Sequence, residues 1–173
     1  MRNVLFFLYF TLFSQQINST MDKKVKIDST DRKILSYLIH DARKPYLEIA
    51  RECGISGAAI HQRIRKLENN GVIEGSKLKV KPQSVGYDLC VFVGVYLDQA
   101  HMYKEVVKEF QDIPEIVECH YTTGEYALML KMYCESNQHL MDILVNTLQN
   151  INGVSRTETF ISLEQTINRD FEV

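Results

Sequence analysis

Three short apolar stripes at helical spacing, packed into about 45 residues and hinged at Gly54-Ile55-Ser56, constrain this chain more than any other feature. The first stripe is Ile34, Leu35, Leu38 and Ile39, with Ser29 or Thr30 expected as the cap and Asp31 a favourable charge in the first turn. Pro45 suits the first turn of a second helix carrying Leu47, Ile49, Ala50 and Cys53, and Gly54 suits its left-handed end. Ser56 is placed to cap a third helix that runs to Asn70, with Ile60, Ile64 and Leu67 inward and Gly71 as its stop. Three helices with so tight a turn before the last form a helix-turn-helix pattern.

The outer face of the third helix carries His61, Gln62, Arg63, Arg65 and Lys66. Its start, Ser56, Gly57, Ala58 and Ala59, is small enough to lie close against another surface. A helix built this way can enter a major groove. Its positive end then lies near phosphates, Gln62 can pair with adenine, and Arg63 and Arg65 can reach guanine or phosphate. The alternative is a structural helix with a solvated basic face. Net charge separates the two readings only when divided along the chain. The total is −2, yet residues 22–82 hold 14 Lys and Arg against 8 Asp and Glu, while residues 83–173 hold 5 against 14. A basic third joined to an acidic remainder suggests two domains with different partners, the first being double-stranded DNA. After Gly71, the alternation of Val72, Ile73, Leu78 and Val80 among Lys77, Lys79 and Lys81 predicts a strand leading out.

The acidic part changes period. Leu89–Leu97 is a nearly continuous β-rich run. Val106, Val107 and Phe110 follow at helical spacing, and Pro114 ends that helix. A strand opens at Ile116, a turn falls at Gly124, and Tyr126 to Tyr133 alternates as a third strand. Ser136 is placed to cap a second helix with Leu140, Ile143, Leu144 and Leu148, and a last strand spans roughly Ser155 to Leu163. The order β-α-β-β-α-β predicts a ferredoxin-like sheet with both helices on one face. The fold class is therefore α+β, a winged-helix-like helix-turn-helix domain over residues 22–75, a linker strand over 76–86 and a ferredoxin-like domain over 87–173. The open sheet face is expected to be apolar and to pair two copies.

Catalytic and metal patterns are missing from the sequence. His101, His120 and His139 lack ligand spacing, and no glycine-rich nucleotide loop is present, so no metal and no cofactor is expected. Cys53, Cys90, Cys119 and Cys134 form no close pair and read as buried thiols in a reducing compartment. Residues 1–20 place Arg2 before an apolar run, Val4–Phe13, too short for a bilayer span of about 20 residues. The layout resembles an export signal, but no clear small-residue cleavage site follows. Translation from Met21, the start of a lysine-rich segment, is the preferred reading, with a cytoplasmic protein and no membrane partner.

Residues 27–75 resemble the DNA-binding domain of the Lrp/AsnC (feast/famine) transcription regulators. The markers are Asp31-Arg32-Lys33-Ile34-Leu35, Gly54-Ile55-Ser56, and Arg63-Ile64-Arg65-Lys66-Leu67-Glu68 before Gly71-Val72-Ile73. The likeness continues through Glu118-Cys119-His120 and Thr123-Gly124-Glu125-Tyr126. It implies a non-enzymatic regulator, dimeric through the sheet domain and assembling to octamers, that binds an amino acid or related metabolite where dimers meet. The effector site implied by the resemblance centres on Thr122, Thr123, Gly124, Glu125 and Tyr126, with Ser136 and Phe160, Ile161 and Ser162. The family often has Gly-Asp with a second acid two residues on; here Gly124-Glu125 is followed by Ala127. Two alternatives stay open: an enzyme subunit resembling the sirohaem decarboxylases, and a sensor without an operator that acts by hetero-oligomerising.

Overall fold

A computed structural model describes residues 25–173; the expectations for the leader and for a start at Met21 lie outside these residues. The described residues divide into two compact units at Lys77, with 169–173 grouping with the first.

In the first unit, α1 (Ser29–His40), α2 (Tyr46–Cys53) and α3 (Gly57–Asn69) follow the three stripes. Ile34, Ile49, Ala50, Ile60 and Ile64 are buried together, with Tyr37, Leu38, Ile55 and Ile73 packed around them. The cap of α1 differs from expectation. Asp28 holds the position, not Ser29 or Thr30, and it forms a reciprocal capping box with Asp31. The Asp28 carboxylate accepts the Asp31 N–H and also places a negative charge at the positive helix end. Gly54 sits at φ 67°, which leaves its N–H free to reach Arg51 O at 3.1 Å while Ile55 N–H reaches Ala50 O at 3.0 Å. Ser56 caps α3, its Oγ accepting Ala59 N–H at 3.2 Å.

Beyond Ile73 the predicted leading strand is not formed among the described residues, and a short 3-10 turn, Pro82–Val85, precedes the sheet. Leu78 is 77% exposed. The alternating pattern is there, but a strand needs a partner, and no described segment of this chain supplies one.

The second unit contains β1 (Leu89–Leu97), α4 (Tyr103–Gln111), β2 (Ile116–Tyr121), β3 (Leu128–Cys134), α5 (Asn137–Asn146) and β4 (Val154–Ile161). The sheet order is β2-β3-β1-β4, with antiparallel neighbours throughout. This is the expected ferredoxin-like topology. Val91, Val93, Val95, Leu128, Leu130 and Met132 alternate onto the helix side and pack against Val106, Phe110, Leu140, Ile143 and Leu148.

The open face is mixed in character and not the apolar surface expected. Phe92 pairs with Lys131 and Phe160, and Gly94 with Met129 and Glu158. Lys131 in turn bridges Glu118 at 2.9 Å. β1 alone reads as continuous hydrophobe, and the charges arrive on its neighbours. The strand expected from Tyr126 begins at Leu128, because residues 122–127 turn back on themselves. The thiols differ as well: Cys134 is buried, whereas Cys119, on edge strand β2, is exposed.

Candidate nucleic-acid interface and effector turn

Successive residues of a helix turn by about 100°, so α3 presents separate faces. Ala58, His61, Gln62, Arg65, Lys66 and Asn69 share the outer one and line, with Asn70, a shallow groove of about 480 Å³. His61 stands edge-on to the Tyr46 ring at 5.2 Å, which ties this face to α2. An added Cβ at Gly57 would lie 2.9 Å from Leu47 Cδ2, the tip of an exposed side chain that can move aside. Ala59 is half-buried beside it.

Arg63 departs from the expectation that it joins this face. It lies on the flank beside Leu67 and points at the start of α1. Its Nη1 donates to Asp28 Oδ2 at 2.7 Å and to Asp31 Oδ1 at 2.6 Å. Asp28 Oδ1 meanwhile accepts Asp31 N–H at 2.7 Å, and Asp31 Oδ2 accepts Asp28 N–H at 3.3 Å. Asp31 is 1% exposed. The backbone donor from Asp31, followed by the Arg63 guanidinium, holds the Asp28 carboxyl below its ordinary range. Sequence reasoning treated Arg63 as outward because it is charged. Its position one turn before Leu67, with two acids three apart at the start of α1, was the available signal.

The turn at Gly124, where the resemblance implies an effector site, is closed by hydrogen bonds of its own residues. Thr122 N–H donates to Ala127 O at 3.0 Å, Thr122 Oγ1 bonds to Tyr126 O, and Gly124 N–H reaches Thr122 Oγ1 only at 3.4 Å. Thr123, Gly124 and Glu125 face solvent. Tyr126 folds across the open face and its hydroxyl donates to Glu158 Oε2 at 2.8 Å. The Tyr96 hydroxyl is shared between Glu125 Oε1 at 2.8 Å and Glu158 Oε1 at 3.2 Å. Arg156 completes the cluster, 3.2 Å from Glu158 and stacked 3.9 Å over the Tyr96 ring. Desolvation under these neighbours, with the two carboxylate partners, pushes the Tyr96 phenol up to about 12.

Of the effector residues implied by the resemblance, only Phe160 meets the turn, its ring 6.2 Å from that of Tyr126. Ser136 caps α5 through His139 N–H, just past the far end of β3. Ser162 N–H bonds to Cys90 O and Ile161 pairs with Val91, at that same far end. Along β3 the two ends are roughly 20 Å apart at 3.3 Å per residue. Tyr96, Glu158, Arg156 and Gly94 were not singled out from sequence. The isolated glycine in LCVFVGVYL was the readable sign, since a bare position in a strand admits a close neighbour. A Cβ at Gly94 would come 2.4 Å from Tyr126 Cδ1.

A winged helix-turn-helix reading unit joined to a ferredoxin-like sheet unit defines a class, the DNA-binding transcription regulators that carry their own ligand-binding domain. Residues 27–74 match the winged helix-turn-helix DNA-binding family and residues 90–170 the Lrp/AsnC ligand binding domain. The regulatory protein AsnC of Haemophilus influenzae is 40% identical over 146 residues, covering 84% of this chain and 97% of that protein. The solved structure of Escherichia coli AsnC superposes with a TM-score of 0.82 at 36% identity, covering 86% of this chain and all of that one. A feast or famine regulatory protein from M. tuberculosis, complexed with L-methionine, superposes at 0.79 with 27% identity over 86% of this chain and 100% of its own. The chain belongs to the Lrp/AsnC family of transcriptional regulators.

Proposed function

We propose that this regulator reads its operator with the outer face of α3 and that an amino acid at the Gly124 turn sets how copies assemble on DNA. The groove lined by Ala58, His61, Gln62, Arg65 and Lys66 carries the first part. The helix that bears these residues is narrow enough, and basic enough, to enter a major groove, with Ser56 and Gly57 bringing its positive end to the backbone. Two copies, paired through the sheet units, present two such helices to half-sites one DNA turn apart, about 34–36 Å.

For the second part, the separation of Thr122–Tyr126 from Ser136, Ile161 and Ser162 within one chain supports a ligand site completed by another copy. An amino acid is favoured because exposed turn N–H groups receive a carboxylate and because the related mycobacterial protein is complexed with L-methionine. Dimers joined through such sites reach the octamer. A ligand favouring one assembly shifts occupancy by its differential affinity. Among the described residues no helix is long and apolar enough to cross a membrane; the cytoplasm is the proposed location, as DNA reading requires.

The test is sedimentation velocity and a genome-wide DNA-binding profile, each repeated with a panel of the common amino acids. One amino acid should shift both the assembly and the set of occupied sites. Unchanged sedimentation and occupancy across the whole panel would remove the effector from the mechanism while leaving the DNA reading intact.

A further inference from the structure

We infer that Arg63 is a positioning residue of the reading unit and makes no contact with DNA: it fixes the azimuth of α3 by locking it to the start of α1. Three observations carry this. Arg63 Nη1 sits between two carboxylate oxygens at 2.6–2.7 Å, a charge-assisted geometry at its short, strong end. Those carboxylates belong to a capping box whose four-atom reciprocity already fixes their rotamers, so the arginine meets a rigid acceptor and not two swinging side chains. Asp31 is sealed from solvent, so withdrawing Arg63 toward a phosphate leaves a buried anion beside a second one. Turning Nη1 toward DNA would therefore forfeit two strong bonds to gain one. Arg65, on the exposed face, is under no such tie.

The locking has a mechanical reading. α2 meets α3 through Tyr46 and His61 at one edge of the reading face, and Arg63 tethers the opposite flank to α1. With both flanks held, rotation of α3 about its axis is suppressed, and the side chains facing the groove keep one register toward base edges.

The experiment uses the full chain and a duplex selected from a random-sequence pool by the wild-type protein. Arg63→Gln is made alone and in an Asp31→Asn background, with Arg65→Gln alongside. Arg63→Gln should weaken binding about tenfold, as expected for loss of a charged hydrogen bond, with the slope of log affinity against log salt unchanged. Most of that loss should vanish once Asp31 is already asparagine. Arg65→Gln should instead reduce the slope by about one. An equal loss in both backgrounds, with a slope lower by about one, would place Arg63 on a phosphate and overturn the inference. Phenylglyoxal labelling of the wild-type chain gives an independent answer even where Arg63→Gln does not fold. Arg65 should be modified in the free protein and protected by the duplex, and Arg63 protected equally in both. Arg63 labelled when free and shielded only by DNA would also overturn it.

Discussion

Asp31 is the charged residue that the described residues bury, and the reason it is tolerated lies in its partners. A buried carboxylate costs several kcal/mol unless its oxygens are filled; here one accepts the Asp28 N–H and the other the Arg63 guanidinium. Its neighbour Asp28 is half-exposed and carries a folded-state pKa below the ordinary 3.8. The unfolded chain therefore binds the proton first, so stability rises with pH across that interval. The contribution is complete above about 3.8 and is lost as pH falls through the lower folded value. Denaturant titrations of the wild type and Asp28→Asn should run parallel above pH 5 and converge as the pH drops below 4. Parallel curves down to pH 2.5 would show that the Asp28 charge adds nothing to folding.

Elements, not residues, decide whether the turn at Gly124 keeps its shape. The turn leans on β1 and β4 through Tyr126, whose ring lies on the bare backbone of Gly94 and whose hydroxyl is held by Glu158. Gly94→Ala places a methyl inside that ring's volume. We expect it to lower stability by about 1–3 kcal/mol, the usual cost of overpacking, and to weaken amino-acid binding more than DNA binding. Thermal denaturation and calorimetric titration check both; an unchanged melting temperature would mean the ring has somewhere else to go. This element also shows what the sequence could reveal. The helices themselves, the Gly54 and Ser56 caps and the strand order were readable because each rests on local geometry or a simple period, whereas the start of α1 was placed one or two residues late. The polar cluster was not, since Tyr96, Glu125, Tyr126 and Glu158 come from separated segments and meet only through the antiparallel register. The orientation of Arg63 was hidden for a related reason: a charge at the margin of a stripe looks outward until the acids on another helix are placed. The strand expected near Leu78 failed because alternation specifies a surface and not a partner.

At the scale of the whole chain, two separate cores divide the work, one of Ile34, Ile49, Ile60 and Ile64, the other of the sheet and its two helices. Each unit should melt on its own. Differential scanning calorimetry should resolve two transitions, and DNA should raise only the one belonging to α1–α3, by mass action on the folded reader. A single transition moved whole by DNA would show that the units fold as one. The charge division at residue 82 lies five residues past the boundary at Lys77, so the sheet unit is still the acidic one and is repelled by DNA. The placement of Arg63 on the flank of α3 has a consequence for how such a regulator diversifies. On the proposed reading, the residues that choose a DNA sequence and the residue that holds the helix in place occupy different sides of one cylinder. On that reading too, substitutions at Gln62 or Arg65 can retarget a duplicated copy to a new promoter without loosening its scaffold, so specificity is free to drift while the architecture is inherited unchanged.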